Sequence, residues 1–222
     1  LNLSVDAYMD KRSKMPVSGS NVISSAIGLS IPQQNNGKTE YKGIDLGIDW
    51  KDKTGKDFTY YVGGTLNYIR TEVIENGEGY IPYNYLSGKG LPAGQLFGLE
   101  AIGYFRDEAD IANSPQQMFS EVRPGDIKYR DMNGDRIIDD NDVHPIGHSS
   151  SVPEIYYGIK LGFEYKGFGL DALFQGVAGY SRMMNVSSVY WPLRNNTNVS
   201  DWYLHDKIRW TEETRDIANV PR

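Results

Sequence analysis

The sequence has no cysteine, only three histidines, and fewer basic than acidic residues. Without cysteine there is no disulfide framework, no thiolate metal site and no thiol nucleophile. With 23 Lys and Arg against 29 Asp and Glu, the net charge is -6. That balance excludes a general nucleic-acid binder, which needs a basic face to release phosphate counterions. Also missing is any apolar run near the ~20 residues of a membrane-crossing helix. The mean hydropathy is -0.51. Neither fact excludes a membrane β-barrel, whose strands alternate apolar and polar residues and so average out as hydrophilic. No initiator Met, basic leader or apolar signal segment precedes Leu1, and Val220-Pro221-Arg222 adds no closing element; both ends are expected to continue into a longer chain.

What is abundant is turn residues and rings: 24 Gly, 10 Pro, 16 Tyr, 7 Phe and 4 Trp in 222 residues. Such a length fits one large β-domain or two smaller ones. Leu1, Leu3, Val5, Ala7 and Met9 alternate with polar partners, predicting a strand near 1–10. Ile44, Leu46, Ile48 and Trp50 predict a second near 43–50. Phe58, Tyr60, Val62, Leu66 and Tyr68 predict a third near 58–69, joined to the second by the short turn around Thr54-Gly55. Tyr157, Ile159, Leu161, Phe163 and Tyr165 mark a strand near 156–165. After the minimal turn Lys166-Gly167, Leu170, Ala172 and Phe174 mark another near 168–177.

Residues 11–42, 70–155 and 178–222 read as long loops, with short helices at Arg106–Asn113 and around Asp201–Lys207. The order of connections is therefore long, short, very long, short, long. Outer-membrane barrels have short periplasmic turns and long outer loops, and one apolar face per strand with aromatics at its ends. This asymmetry favours a segment of a transmembrane barrel, mainly antiparallel β. An ordinary sandwich with the apolar face on a soluble core is the alternative.

The longest loop contains Asp131-Met132-Asn133-Gly134-Asp135-Arg136-Ile137-Ile138-Asp139-Asp140-Asn141-Asp142. Asp131, Asn133, Asp135, Asp139 and Asp142 occupy positions 1, 3, 5, 9 and 12 of a twelve-residue cation loop, and Ile137 at position 7 offers its carbonyl. Structural Ca²⁺ is the expected occupant. Arg136 stands where such loops place Gly, at a cost on the order of 1 kcal/mol in the left-handed region. A solvated turn closed by Asx hydrogen bonds is the alternative. His144 and His148 have i,i+4 spacing, but Pro145 and Gly147 lie between them, so they read as loop residues and not as a zinc pair. Tyr80, Tyr83, Tyr85, Tyr190, Trp191 and Trp202 cluster in the long loops, as rings that contact sugars or a partner, or that pack the loops onto themselves. No nucleophile elbow, phosphate loop or zinc-protease helix is present, so the reading is not an enzyme.

Gly125-Asp126-Ile127-Lys128-Tyr129-Arg130-Asp131-Met132-Asn133-Gly134-Asp135, followed by Ile138-Asp139-Asp140-Asn141-Asp142 and Ile146-Gly147, resembles the signature of the SusC/RagA family of TonB-dependent outer-membrane transporters. Tyr165-Lys166-Gly167-Phe168, Phe174-Gln175-Gly176-Val177-Ala178-Gly179, Asn36-Gly37-Lys38 with Lys42-Gly43-Ile44-Asp45-Leu46, and Asp206-Lys207-Ile208-Arg209-Trp210-Thr211-Glu212-Glu213 are similar to its neighbouring segments, in family order. The resemblance implies that residues 1–222 are part of one large plugged barrel domain in the outer membrane of a Gram-negative bacterium. It further implies a SusD-like surface lipoprotein as partner, TonB engaged through an N-terminal region absent here, and oligosaccharide or peptide cargo. The competing reading is a soluble, secreted β-domain whose Ca²⁺-pinned loop binds glycans; a β-sandwich carbohydrate-active enzyme is a weaker third.

Overall fold

A computed structural model of the chain describes residues 1–17, 32–185, 201 and 208–222. In chain order the elements are β1 (Asn2–Val17), β2 (Gln34–Thr54), β3 (Phe58–Glu75), β4 (Gln95–Gly98), β5 (Ala101–Tyr104), α1 (Glu108–Asn113), β6 (Gln116–Gln117), β7 (Ile127–Tyr129), β8 (Ile137–Ile138), β9 (His144–Ser149), β10 (Ile155–Tyr165) and β11 (Phe168–Ala178). They fall into two compact units. Leu1–Leu96 with Gly147–Ser181 form the first, and Phe97–Ile146 with Arg182–Arg222 the second.

The first unit is built on a five-stranded antiparallel sheet in the order β1-β2-β3-β10-β11. Its hairpins turn as the sequence predicts. Gly55 takes φ +68 between β2 and β3, and Lys166 and Gly167 take φ +49 and +86 between β10 and β11, the two positive-φ residues a tight hairpin turn needs. The sheet is mainly β and antiparallel as expected, and it does not close on itself: among the described residues β1 pairs only with β2, and β11 only with β10.

The register puts every strand's apolar set on the same face. One row reads Leu3, Ile48, Gly64, Ile159, Phe174; the next reads Val5, Leu46, Leu66, Tyr157, Gly176. The opposite face carries Asn2, Asp49, Gly63 and Lys160 in one row and Asp6, Asp45, Asn67 and Tyr156 in another. Three tyrosines lie against glycines directly opposite on the neighbouring strand: Tyr8 on Gly43, Tyr61 on Gly162 and Tyr157 on Gly176. A Cβ at any of those glycines would run into the ring.

The strands extend further than the periodicity predicted. Residues 11–17 and 34–42, expected as loop, belong to β1 and β2, and residues 70–75 belong to β3. Beyond the apolar band these stretches are mostly polar, with Met15, Val17, Tyr41, Val73 and Ile74 scattered in no sustained period of two, so the alternation that reveals a strand is lost although the ladder continues. His144 and His148, expected in a loop, lie in β9. The helix expected around Asp201–Lys207 lies almost wholly outside the described residues.

The second unit contains all four buried apolar side chains of the described residues: Phe105, Ile138, Trp210 and Val220. β5 pairs antiparallel with β7, and β6 runs parallel to β8. The helix α1 starts at Asp107, whose carboxylate accepts from the Asp110 amide at 2.8 Å, and stops at Ser114, before Pro115. Gly125 holds φ +90 and lets Trp210 pack where a Cβ would stand. The Gly125 carbonyl accepts from the Arg222 amide at 3.2 Å, and the Arg222 guanidinium donates to Asp126 at 3.0 Å.

Candidate functional site

Three surfaces carry functional information: the apolar sheet face, the loop 76–91 that leaves β3, and the acidic loop Asp131–Asp142. The sheet face is open. Leu3 is 69% exposed, Ile48 48%, Leu161 40%, Leu170 55% and Phe174 58%. Burying any such side chain stabilises by about 1.5–3 kcal/mol, so an uncovered array this wide is costly in water and calls for an apolar environment. At its short-turn end the rings gather. Phe58 lies 6.0 Å from both Tyr60 and Phe163, and Phe163 lies 6.3 Å from Phe168.

Loop 76–91 is stitched closed at its base. Gly90 donates to the Val73 carbonyl at 2.8 Å, Val73 donates to Leu91 at 2.9 Å, and Lys89 pairs with Glu75 at 2.9 Å. Inside the loop, Glu78 accepts from the Ser87 hydroxyl at 2.7 Å, from the Gly88 amide at 2.7 Å and from the Asn76 side chain. Partial burial pushes the Glu78 carboxyl up, but the donors from Asn76, Ser87 and Gly88 together outweigh it, and the net direction is down. Tyr83 caps and Tyr85 lies within a 3₁₀ turn at Asn84–Leu86, and the two rings stack with centroids 5.4 Å apart and planes 9° from parallel. Tyr80 is 92% exposed. Tyr190, Trp191 and Trp202, named with them from the sequence, lie outside the described residues. Sequence reasoning missed Glu78; the turn signal Asn76-Gly77 beside it was the available clue.

The acidic loop folds on its own hydrogen bonds. The Asp131 carboxylate accepts from the amides of Gly134 and Arg136 at 2.6 and 2.8 Å. Asn133 accepts from Asp135, and Asp135 from Ile137, at 2.9 and 2.8 Å. Asp139 accepts from the Asn141 amide at 2.7 Å. The buried Asp142 accepts from Met132 at 2.7 Å and from Asp139 at 2.9 Å. Arg136 takes the left-handed conformation, φ +67, that position 6 demands. The amides of Gln116 and Met118 donate to the carbonyls of Arg136 and Ile138, so strand alternation turns the Ile137 carbonyl the other way.

The oxygens are of the type a hard cation takes. Among the described residues, however, no three His, Asp or Glu side chains gather closely enough to hold a metal. Asp131 and Asp142 are each occupied with backbone amides. His144 is likewise engaged locally: Nδ1 lies 3.3 Å from the Asp142 carbonyl and Nε2 3.6 Å from Glu100, which also binds Arg130 at 2.7 Å. Behind the loop, Lys128 donates to Asp110 at 2.7 Å. This hydrogen bond holds the Asp110 carboxyl below its ordinary range, despite an upward push from partial burial and helped by the Arg106 amide.

No family model matches the chain. In sequence it is 27% identical over 210 residues to TonB-dependent receptor P39 of Formosa agariphila, covering 78% of this chain and 20% of the relative. It is 24% identical over 214 residues to TonB-dependent receptor P26 of the same organism, covering 88% and 20%. In structure it aligns with the RagAB peptide importer in its open-open state at a TM-score of 0.66 and 20% identity, over 99% of this chain and 23% of that one. The chain is thus similar in sequence to a segment of TonB-dependent receptors and in fold to a segment of the RagAB importer. The closed-closed state of the same importer gives a TM-score of 0.60 at 20% identity, over 99% and 24%. The chain spans about a fifth of the length of the curated relatives it matches.

Proposed function

We propose that the whole protein is a SusC-like importer of the outer membrane of a Gram-negative bacterium. In this reading it takes up oligosaccharides or peptides together with a SusD-like surface lipoprotein, with energy delivered through TonB. The observation that supports it is the sheet face: five strands in one register expose a continuous apolar array and bury none of it. The strands β10 and β11 are 11 residues each. At ~3.4 Å per residue and a tilt near 40–45° they span about 25 Å, the height of an outer-membrane apolar band. The relatives' names as TonB-dependent receptors and the likeness to a peptide importer support the same assignment.

Detergent dependence of the full-length protein is the test. The proposal expects folding, read as heat-modifiable gel migration, only in detergent or lipid. A soluble, cooperatively folded monomer in buffer alone would overturn it and favour a secreted glycan-binding domain.

For the acidic loop we propose a brace. Its hydrogen bonds already close it, and Arg136 in the left-handed region with the Ile137 carbonyl turned away from β6 supports Ca²⁺ as an added tie through Asp131, Asn133, Asp135, Asp139 and Asp142. Binding requires these side chains, each now accepting from backbone amides, to draw together and share those partners with the ion. Calorimetric titration with Ca²⁺ is expected to give heat in the wild type and less in Asp131→Ala. An absence of heat in the wild type leaves the loop a purely hydrogen-bonded brace.

A further inference from the structure

Most aromatic side chains in loops are held back from water by the loop that carries them. Tyr80 is not: at 92% exposed it is the least covered large hydrophobic side chain of the described residues. It also cannot simply fold back, because its loop is fixed on both sides of it. The base is tied by Gly90 to Val73, Val73 to Leu91, and Lys89 to Glu75. The interior is tied by one carboxylate, Glu78, which faces Asn76 and Gly88 with one oxygen and Ser87 with the other. A side chain of two rotatable angles on a pre-closed loop loses little entropy on contact, which is how aromatic anchors of binding surfaces work.

We propose that loop 76–91 is a preformed ligand-contact element, with Tyr80 as its leading ring and Glu78 as the positioning residue that holds it in shape. This rests on the importer reading and identifies where on this segment the cargo is met. The ring-bearing stretch suits an uncharged ligand. The one cation of the loop, Lys89, is paired with Glu75 at 2.9 Å, and the Glu78 carboxylate would repel an anionic group. No strand lies between Glu75 and Gln95, so an extended peptide finds no edge to add to. What the loop offers is flat phenol faces beside side-chain amides and hydroxyls. That chemistry fits the C–H face and hydroxyls of a neutral sugar ring.

Glu78 can be tested apart from its charge. In Glu78→Gln the amide oxygen still accepts from Asn76 and Gly88, and the new NH₂ can donate to the Ser87 hydroxyl. In Glu78→Ala all three donors lose their acceptor.

Isothermal titration on the full-length protein in detergent, with neutral gluco-, manno- and galacto-configured hexasaccharides and with the uncharged peptide (Gly-Pro)₃ as a separate arm, decides the matter. Heat-modifiable migration of every variant is checked first, so that failure to form a barrel, which would sink the importer reading, is seen separately. The expected pattern is binding of at least one hexasaccharide, weakened about tenfold by Tyr80→Ala and by Glu78→Ala, and restored in Glu78→Gln. Tyr80→Ala binding like wild type, heat only with (Gly-Pro)₃, heat with neither probe, or a Glu78→Gln defect equal to that of Glu78→Ala would each overturn it.

Discussion

Leu161 offers the sharpest test of the sheet's orientation. It lies near the middle of β10, opposite Val62 on one side and Ala172 on the other, on the face that carries Ile159 and Phe163's flanking rows. If that face meets hydrocarbon, Leu161→Arg places a cation close to the bilayer midplane at a cost of about 2–4 kcal/mol. At 1.36 kcal/mol per factor of ten this is roughly a 30- to 900-fold loss in the folding equilibrium. Tyr165→Arg, on the same face but at the end of the strand, is expected to cost only about 0–1 kcal/mol. Lys160→Ala, on the polar face with its ammonium 3.7 Å from Asp49 and 5.8 Å from the Tyr61 ring centroid, is expected to stay within about 1 kcal/mol. The assay is folding of the full-length protein into lipid vesicles across a urea series, read by heat-modifiable migration. The depth gradient is the diagnostic, because a water-facing surface has none. Equal costs for Leu161→Arg and Tyr165→Arg would refute the assignment.

Gly125→Ala is expected to lose about 1–2 kcal/mol from the left-handed backbone alone and to displace Trp210, seen as faster amide exchange at Arg222; unchanged exchange there would contradict the packing described. Arg136→Gly is expected to stabilise the acidic loop by up to about 1 kcal/mol, less whatever its guanidinium contributes at the Asn113 carbonyl, 3.3 Å away, measured as the shift in thermal midpoint. Asp110 is held below the carboxyl range, so its contribution is complete above an unfolded value near ~3.9 and is lost as pH falls through the lower folded value. Denaturant unfolding of wild type should therefore weaken below about pH 4 more than that of Asp110→Asn, and parallel profiles would count against the Lys128 contact.

The parts of the fold legible from sequence were those where one face meets an apolar phase. Ile44 to Trp50, Phe58 to Tyr68 and Tyr157 to Tyr165 alternate because the two sides of the strand face different surroundings. Lys11-Arg12-Ser13-Lys14 and Asn35-Asn36-Gly37 belong to the same ladders, yet both their faces are polar, so hydropathy carries no period and the turn-forming composition misleads. The two-residue strands β6 and β8 depend on Gln116 and Gln117 meeting Ile137 and Ile138 across a long separation, which no local pattern encodes. In the acidic loop the spacing of Asp131, Asn133 and Asp135 was legible, as was the strain at Arg136. The engagement of Asp142 with Met132 was not, since it joins opposite ends of the loop. The contact of Trp210 with Gly125 was hidden for the same reason.

The three tyrosines seated on glycines also bear on how the sheet finds its alignment. Strands that alternate so regularly can slide by two residues and still keep apolar groups on one side. Sliding β3 by two against β10 would bring Tyr61 opposite Lys160 or Glu164 in place of Gly162, where a full side chain already stands. Tyr8 at Gly43 and Tyr157 at Gly176 impose the same condition on the neighbouring pairs. Each ring therefore works as a key that fits one notch, and a wall of repetitive strands acquires a single permitted alignment.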